Sequence, residues 1–179
     1  QGVLKFGEFR LNSGRVSPYF FNLGAVSDGA GFAQLGRAYA DAILAAEIDF
    51  DVLFGPAYKG IPIAVATATA LAEQGVHVGV AYNRKEAKDH GEGGSLVGAE
   101  VSGRVLLVDD VLTSGKAIRQ SVDLIGQTDA RIVGTVIALD RAELFDGGVT
   151  AVEALASDLG VPIVSIASVG LAQDVAAAR

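Results

Sequence analysis

The sequence predicts an α/β domain with a central, mostly parallel β-sheet flanked by helices and a small N-terminal β-rich hood. Short apolar runs alternate with helix-length segments from residue 31 onward, and a strand–helix–strand series folds as right-handed crossovers between parallel strands. Length agrees: 179 residues match one domain, given roughly 100–200 residues per domain. Half of those residues are hydrophobic and the mean hydropathy is +0.40, enough apolar surface for a packed core without covalent staples.

Residues 3–23 read as short strands carrying Leu4, Phe6 and Phe9, then Tyr19, Phe20 and Phe21, around the turn Asn12-Ser13-Gly14. These form the expected hood. Residues 31–47 place Phe32, Leu35, Tyr39, Ile43 and Leu44 on one stripe of an amphipathic helix. Asp51–Phe54 is a short buried strand ending at Gly55-Pro56, Gly60–Gln74 an Ala-rich apolar helix, and Val76–Tyr82 a strand with His77 packed on its face. Residues 83–103 differ: they are polar, with Gly at 91, 93, 94, 98 and 103. A stretch of this length without apolar periodicity inside a domain is expected to be a functional lid or a disordered segment. Arg104–Val108 is a strongly apolar strand followed by Asp109-Asp110, and Ser114–Gln127 is a helix. Arg131–Leu139, Thr150–Leu159 and Val161–Val169 complete the series as strand, helix and strand. Ligands of such sheets sit beyond the carboxyl ends of the strands. The chemistry is therefore expected at Phe54–Gly60, Tyr82–His90, Asp109–Ala117 and Asp140–Arg141.

Composition removes several classes of function. The absence of Cys excludes disulfides, thiol catalysis and Cys-ligated metals, and two His, His77 and His90, are too few for a polyhistidine metal site. A net charge of −7 argues against a general nucleic-acid face. Apolar runs such as Ile61–Ala72 fall short of the ~20 residues that span a bilayer, and no basic-then-apolar leader opens the chain. A soluble cytoplasmic protein is expected. The chain has no Met, so Gln1 is not expected to be the natural start.

Val105–Ile118, VLLVDDVLTSGKAI, is the sharpest segment. A buried strand delivers two adjacent carboxylates, and a loop carrying hydroxyls and Gly then opens a helix. Successive backbone N–H groups and the helix N-terminus form a phosphate cradle; Thr113 and Ser114 add hydroxyls, and Gly115 allows close backbone approach. Carboxylates beside a phosphate make sense if they face sugar hydroxyls, or a Mg²⁺ held by them. The segment reads as a site for a ribose 5′-phosphate, with an ordinary strand–turn–helix carrying two solvated Asp as the alternative. A Walker A loop is excluded because Ala117 follows Gly115-Lys116 and the first required Gly falls on Asp110. The dinucleotide pattern fails at Leu96 after Gly91-x-Gly93.

This segment is similar to the signature of the type I phosphoribosyltransferases, which bind 5-phosphoribosyl-1-diphosphate (PRPP). Leu4–Phe9, Ser13–Asn22 (SGRVSPYFFN), Leu53–Pro62 (LFGPAYKGIP), Asn83–Gly94 (NRKEAKDHGEGG) and Leu139-Asp140-Arg141 resemble, in order, the orotate-using branch of that family. The resemblance implies transfer of 5-phosphoribosyl from PRPP to orotate, giving orotidine 5′-phosphate and diphosphate for de novo pyrimidine synthesis. It implies Mg²⁺ held mainly through substrate oxygens, and a cytoplasmic homodimer whose lid reaches the neighbouring subunit. PRPP would be bound by Lys59, Arg84, Lys85, Lys88 and His90, and by Asp109, Asp110, Val111, Leu112, Thr113, Ser114, Gly115, Lys116 and Ala117. Lys88, His90, Asp109 and Asp110 would carry the catalysis. Orotate would meet Phe20, Phe21, Tyr58, Thr113 and Arg141.

Those roles fit the residues' own chemistry. Gly55–Gly60 leaves a strand and enters a helix, so it aims N–H groups and Lys59 at an anion; a solvated loop Lys is the alternative. Arg84, Lys85, Lys88 and His90 crowd a Gly-rich stretch balanced by Glu86, Asp89 and Glu92, which suits either a cation-bearing lid or a solvated loop. Phe20 and Phe21 point to opposite faces of a strand, so at most one stacks on a flat ring. Arg141 bonds a carboxylate in bidentate fashion or remains a surface Arg. Val16 stands where some members carry a PRPP-binding Lys.

Overall fold

The strands are apolar on both faces because both faces of the sheet are covered, the usual state of a parallel sheet. The computed structural model describes residues 1–10, 16–85, 95–112, 115–142 and 148–168. The main sheet has six strands in the order β5-β4-β3-β6-β7-β8. They are β3 (Val52–Gly55), β4 (Gly79–Asn83), β5 (Leu96–Gly98), β6 (Arg104–Val111), β7 (Arg131–Asp140) and β8 (Ile163–Ser168). All neighbours are parallel except β5, which pairs antiparallel with β4.

Among the described residues four α-helices cover the sheet: α1 (Gly29–Ala45), α2 (Gly60–Glu73), α3 (Lys116–Ile125) and α4 (Ala151–Leu159). Strand alternation divides the core. Leu53, Leu106, Val108, Val136 and Ala138 pack with Tyr39, Ile43, Ile63 and Leu71 of α1 and α2. Phe54, Val105, Leu107 and Ile137 pack with Ile118, Ile125 and Leu155 of α3 and α4. Helix ends are specified locally: Asp28 caps α1 by accepting from the Gly31 amide at 2.7 Å, and Thr150 and Glu153 form a reciprocal capping box on α4. The α1–α2 crossing is close. A Cβ on Gly36 would lie 2.3 Å from the Ala66 carbonyl oxygen, so only Gly fits.

The hood is a two-stranded antiparallel sheet of β1 (Leu4–Arg10) and β2 (Val16–Phe21), with Leu4 opposite Phe21. The expected turn Asn12-Ser13-Gly14 lies outside the described residues.

The structure corrects several details. Asp109 and Asp110 lie within β6 rather than after it. β4 begins at Gly79, so His77 sits ahead of the strand and is exposed, not packed. Leu44 is 39% exposed; the buried stripe of α1 runs through Gly36, Tyr39, Ala40 and Ile43. Read from sequence, 83–103 carries no element, yet Leu96–Gly98 forms the edge strand β5. With three residues, β5 is too short to show an alternation.

Candidate functional site

In the order β4-β3-β6-β7 the carboxyl ends of four parallel strands stand side by side. The segments singled out in the sequence at Gly55–Gly60, Asn83–Lys85, Asp109–Val111 and Asp140–Arg141 thus meet along one edge. Lys88, His90, Thr113 and Ser114 lie outside the described residues.

The acid pair ends β6, where the strand alternation separates the two side chains. Asp109 continues the face of Val105 and Leu107, toward α3; Asp110 continues that of Leu106 and Val108, toward α1 and α2. Asp109 is 8% exposed. Its Oδ1 accepts from the Asp110 amide at 2.9 Å, and its backbone carbonyl accepts from the buried Tyr39 hydroxyl at 2.7 Å. Burial foremost, then the neighbouring Asp110 charge, push the Asp109 carboxyl up to about 6. Burial and both acids also hold the Tyr39 phenol well above its ordinary value, so it stays a neutral donor.

Asp110 is held from two sides. Its Oδ1 accepts from the Val111 amide at 2.7 Å, and its Oδ2 from Lys59 Nζ at 2.6 Å. The Lys59 side chain is 58% exposed and that of Asp110 14%. The cation of one loop therefore rests on the acid of the neighbouring strand.

On the Asp109 side a cleft of about 300 Å³ opens between Ala57, Lys85, Asp109, Val111 and the start of α3 at Gly115–Ile118. Gly115 precedes the helix with φ +68°, a left-handed conformation that favours Gly. The cleft has a helix N-terminus, two Lys side chains (Lys85 and Lys116) and one buried carboxylate, matched to an anion joined to a hydroxyl-bearing group.

Two contacts tie the β3–α2 loop to the end of β4. Asn83 Oδ1 accepts from the Ala57 amide at 2.9 Å, and its Nδ2 donates to the Arg84 carbonyl at 3.4 Å. Lys85 Nζ stands 4.6 Å from the centroid of the Tyr58 ring, a cation–π distance. Tyr58 is 66% exposed and its peptide bond with Ala57 is cis.

Arg141 meets the hood. Its Nε donates to the Tyr19 hydroxyl at 3.4 Å, and its guanidinium carbon lies 5.6 Å from that ring's centroid. Phe20 is 41% exposed and touches Phe9, with ring centroids 5.6 Å apart; Phe21 packs against the core under α1 and α2. Of the aromatics in β2, Tyr19 is thus the one that reaches Arg141. Sequence reasoning missed Tyr19, Tyr39 and Asn83 as site residues. The alternation of β2, with Ser17 and Tyr19 buried, was the available signal for Tyr19.

Among the described residues no group of three or more His, Asp or Glu side chains is placed to enclose a metal ion. The Asp109–Asp110 pair fits Mg²⁺ in one respect: this hard cation keeps water and substrate oxygens as ligands and needs only one or two carboxylates.

Comparison with known proteins bears on the family and the fold. Residues 23–145 match the model of the phosphoribosyl transferase domain. A relative from Pseudomonas putida, called orotate phosphoribosyltransferase, is 57% identical over 169 residues, which cover 94% of this chain and 79% of that protein. A crystal structure of the Francisella tularensis orotate phosphoribosyltransferase superposes with a TM-score of 0.89 at 38% identity, covering 99% of this chain and 86% of that one. The Mycobacterium tuberculosis orotate phosphoribosyltransferase, solved in complex with PRPP, gives a TM-score of 0.69 at 26% identity over 90% of this chain and 87% of that one.

Proposed function

This chain belongs to the orotate phosphoribosyltransferase family, and from that premise we propose that its cleft transfers the 5-phosphoribosyl group of PRPP to orotate, releasing diphosphate and forming orotidine 5′-phosphate. The observation that carries the reading is the 2.6 Å pair between Lys59 and Asp110 beside the Asp109 cleft. It brings a cation for the diphosphate and acids for the ribose to the same strand ends.

The reaction is a displacement at ribose C1. The bond from C1 to the diphosphate oxygen breaks, and N1 of orotate bonds to C1, its proton passing to water or to the departing diphosphate. The sugar passes through a cation-like transition state. Orotate brings an acidic ring N–H and diphosphate is a good leaving group, so the protein contributes position and charge rather than a nucleophile. Asp109 and Asp110 accept from the ribose hydroxyls. Their negative charge acts more strongly on the sugar because Asp109, 8% exposed, is largely shielded from water.

The loop from Thr113 to Ala117, with the Gly115 turn and the α3 N-terminus, holds the 5′-phosphate. Lys59, Arg84 and Lys85 meet the diphosphate, joined by Lys88 and His90 when the connection between β4 and β5 closes as a lid. Lys88 or His90 then steadies the departing charge. Arg141, steadied by Tyr19, grips the orotate carboxylate; Tyr58, Thr113 and the Phe20-Phe21 strand border the same base. Mg²⁺, for which Asp109 and Asp110 are the available carboxylates beside substrate oxygens, would offset charge on the leaving group. The working unit is a cytoplasmic homodimer sharing its lids.

A panel of bases tests this reading. With PRPP and Mg²⁺, orotate absorbance is expected to fall as diphosphate appears in equal amount, while uracil, adenine and hypoxanthine remain unconverted. Faster conversion of a purine would reject the base assignment and leave the PRPP site standing.

A further inference from the structure

Asn83 lies at the carboxyl end of β4, between the two segments that bring cations to the cleft. Its carboxamide ties the first to the second: Oδ1 takes the Ala57 amide at 2.9 Å, while Nδ2 turns back to the carbonyl of the adjoining Arg84 at 3.4 Å and so orients the group. A second, separate contact joins the same segments, with Lys85 Nζ 4.6 Å from the Tyr58 ring centroid. Ala57 and Lys85 both line the Asp109 cleft. Lys59, two residues beyond Ala57, reaches across to Asp110 at 2.6 Å.

We propose that Asn83 is a positioning residue for diphosphate: its bridge between the Ala57 amide and the Arg84 carbonyl sets the Pro56–Lys59 loop against the base of the cationic segment, so that Lys59 and Lys85 face one anion together. The residue type suits the task. A carboxamide offers an acceptor and a donor on one planar group, as a site facing an N–H on one side and a carbonyl on the other requires. Aspartate would keep the acceptor but lose the donor and add a negative charge beside the anion; alanine would leave a partly buried amide without its partner. The bond sits on the loop backbone, so its loss moves the whole loop, and a displacement of about 1 Å at a positioning contact is worth up to about 10² in rate.

The proposal rests on the phosphoribosyl-transfer reading, and the test separates the two. Inorganic diphosphate with Mg²⁺ is titrated calorimetrically into the wild-type protein, Asn83→Ala, Lys59→Ala and the double variant; KM for PRPP and for orotate are measured on the same four. Asn83→Ala is expected to weaken diphosphate and raise the KM for PRPP by about tenfold or more, with the KM for orotate within about twofold of wild type. In the Lys59→Ala background the same change is expected to cost less than about threefold, because residues acting through one loop are not additive. Asn83→Ser, whose hydroxyl is too short to span both partners, is expected to behave like Asn83→Ala and supplies a second variant should alanine fold poorly. An unchanged diphosphate affinity in both Asn83 variants, an equal loss for both substrates, or full additivity with Lys59→Ala would overturn the proposal. A wild-type protein that binds diphosphate but converts no orotate would reject the enzymatic reading, while the ratio of diphosphate affinities still decides the role of Asn83.

Discussion

Lys59 Nζ and Asp110 Oδ2 lie 2.6 Å apart, joining the start of α2 to the end of β6. The contact spans two neighbouring parallel strands. On the proposed reading, PRPP binding exchanges this ion pair for contacts of each partner with the substrate. The Lys59 side chain is 58% exposed and that of Asp110 14%, so solvent screens the pair from the Lys59 side, and Asp110 keeps its bond from the Val111 amide when Lys59 leaves.

Lys59→Ala is accordingly expected to leave thermal stability nearly unchanged while lowering kcat/KM for PRPP by about 10²–10³, the usual effect of removing one charge-stabilising contact. Steady-state kinetics beside a melting curve checks this. A variant of full activity would remove Lys59 from the site.

Asp109 sets a pH dependence. Its carboxyl is pushed from 3.8 up to about 6 by burial, and a protonated carboxyl is a poorer acceptor for ribose hydroxyls. The kcat/KM for PRPP is expected to fall as pH drops through that value. For stability the sign is reversed. A raised acid pKa means that the folded state binds the proton more tightly, so this group's contribution is fully present below pH 3.8 and is lost as pH rises through about 6. Asp109→Asn should therefore be more stable than wild type at pH 8, by an amount on the order of 2–3 kcal/mol, gain nothing near pH 3.5, and lose activity relative to wild type at pH 8. Denaturation at the two pH values tests the sign.

Arg141 and Tyr19 are expected to govern the base rather than the sugar. Arg141→Ala should raise the KM for orotate by about 10–100-fold, the value of a charge-assisted hydrogen bond, with little change for PRPP. Arg141→Lys should not restore it, since an ammonium lacks the planar fork. Tyr19→Phe removes the hydroxyl that accepts from Arg141 Nε at 3.4 Å and should give a smaller change of the same kind. Initial rates with each substrate varied in turn distinguish these outcomes.

Gly36→Ala tests the scaffold apart from the chemistry. The added Cβ would stand 2.3 Å from the Ala66 carbonyl oxygen, forcing α1 and α2 apart at a cost of about 1–3 kcal/mol. The melting temperature should fall by several degrees, with turnover per folded molecule preserved.

The buried strands were legible in the sequence because both faces of the sheet are covered: Val52–Phe54 and Val105–Val108 are apolar at every position. Three strand ends were legible too, since polar or Gly-bearing residues break those runs at Gly55, Asn83 and Asp140, whereas β6 runs on through Asp109 and Asp110 to Val111. What one chain could not show was contact between segments far apart in sequence. The bond from Tyr39 to Asp109 spans 70 positions and that from Arg141 to Tyr19 spans 122, and no local pattern encodes either. Strand β5 escaped because only three residues pair. Asn83 escaped because its value lies in a backbone amide, at Ala57, that looks like any other in the sequence.

Calorimetric titration of PRPP in Mg²⁺ buffer into the wild-type protein and a variant carrying Asp109→Asn and Asp110→Asn tests the central claim most directly. The acid pair and the α3 cradle predict one PRPP bound per chain in the wild type and binding weakened at least about 10²-fold in the variant, as expected when charge-assisted contacts to two ribose hydroxyls are lost. No heat with the wild type, or equal affinity in both proteins, would contradict it.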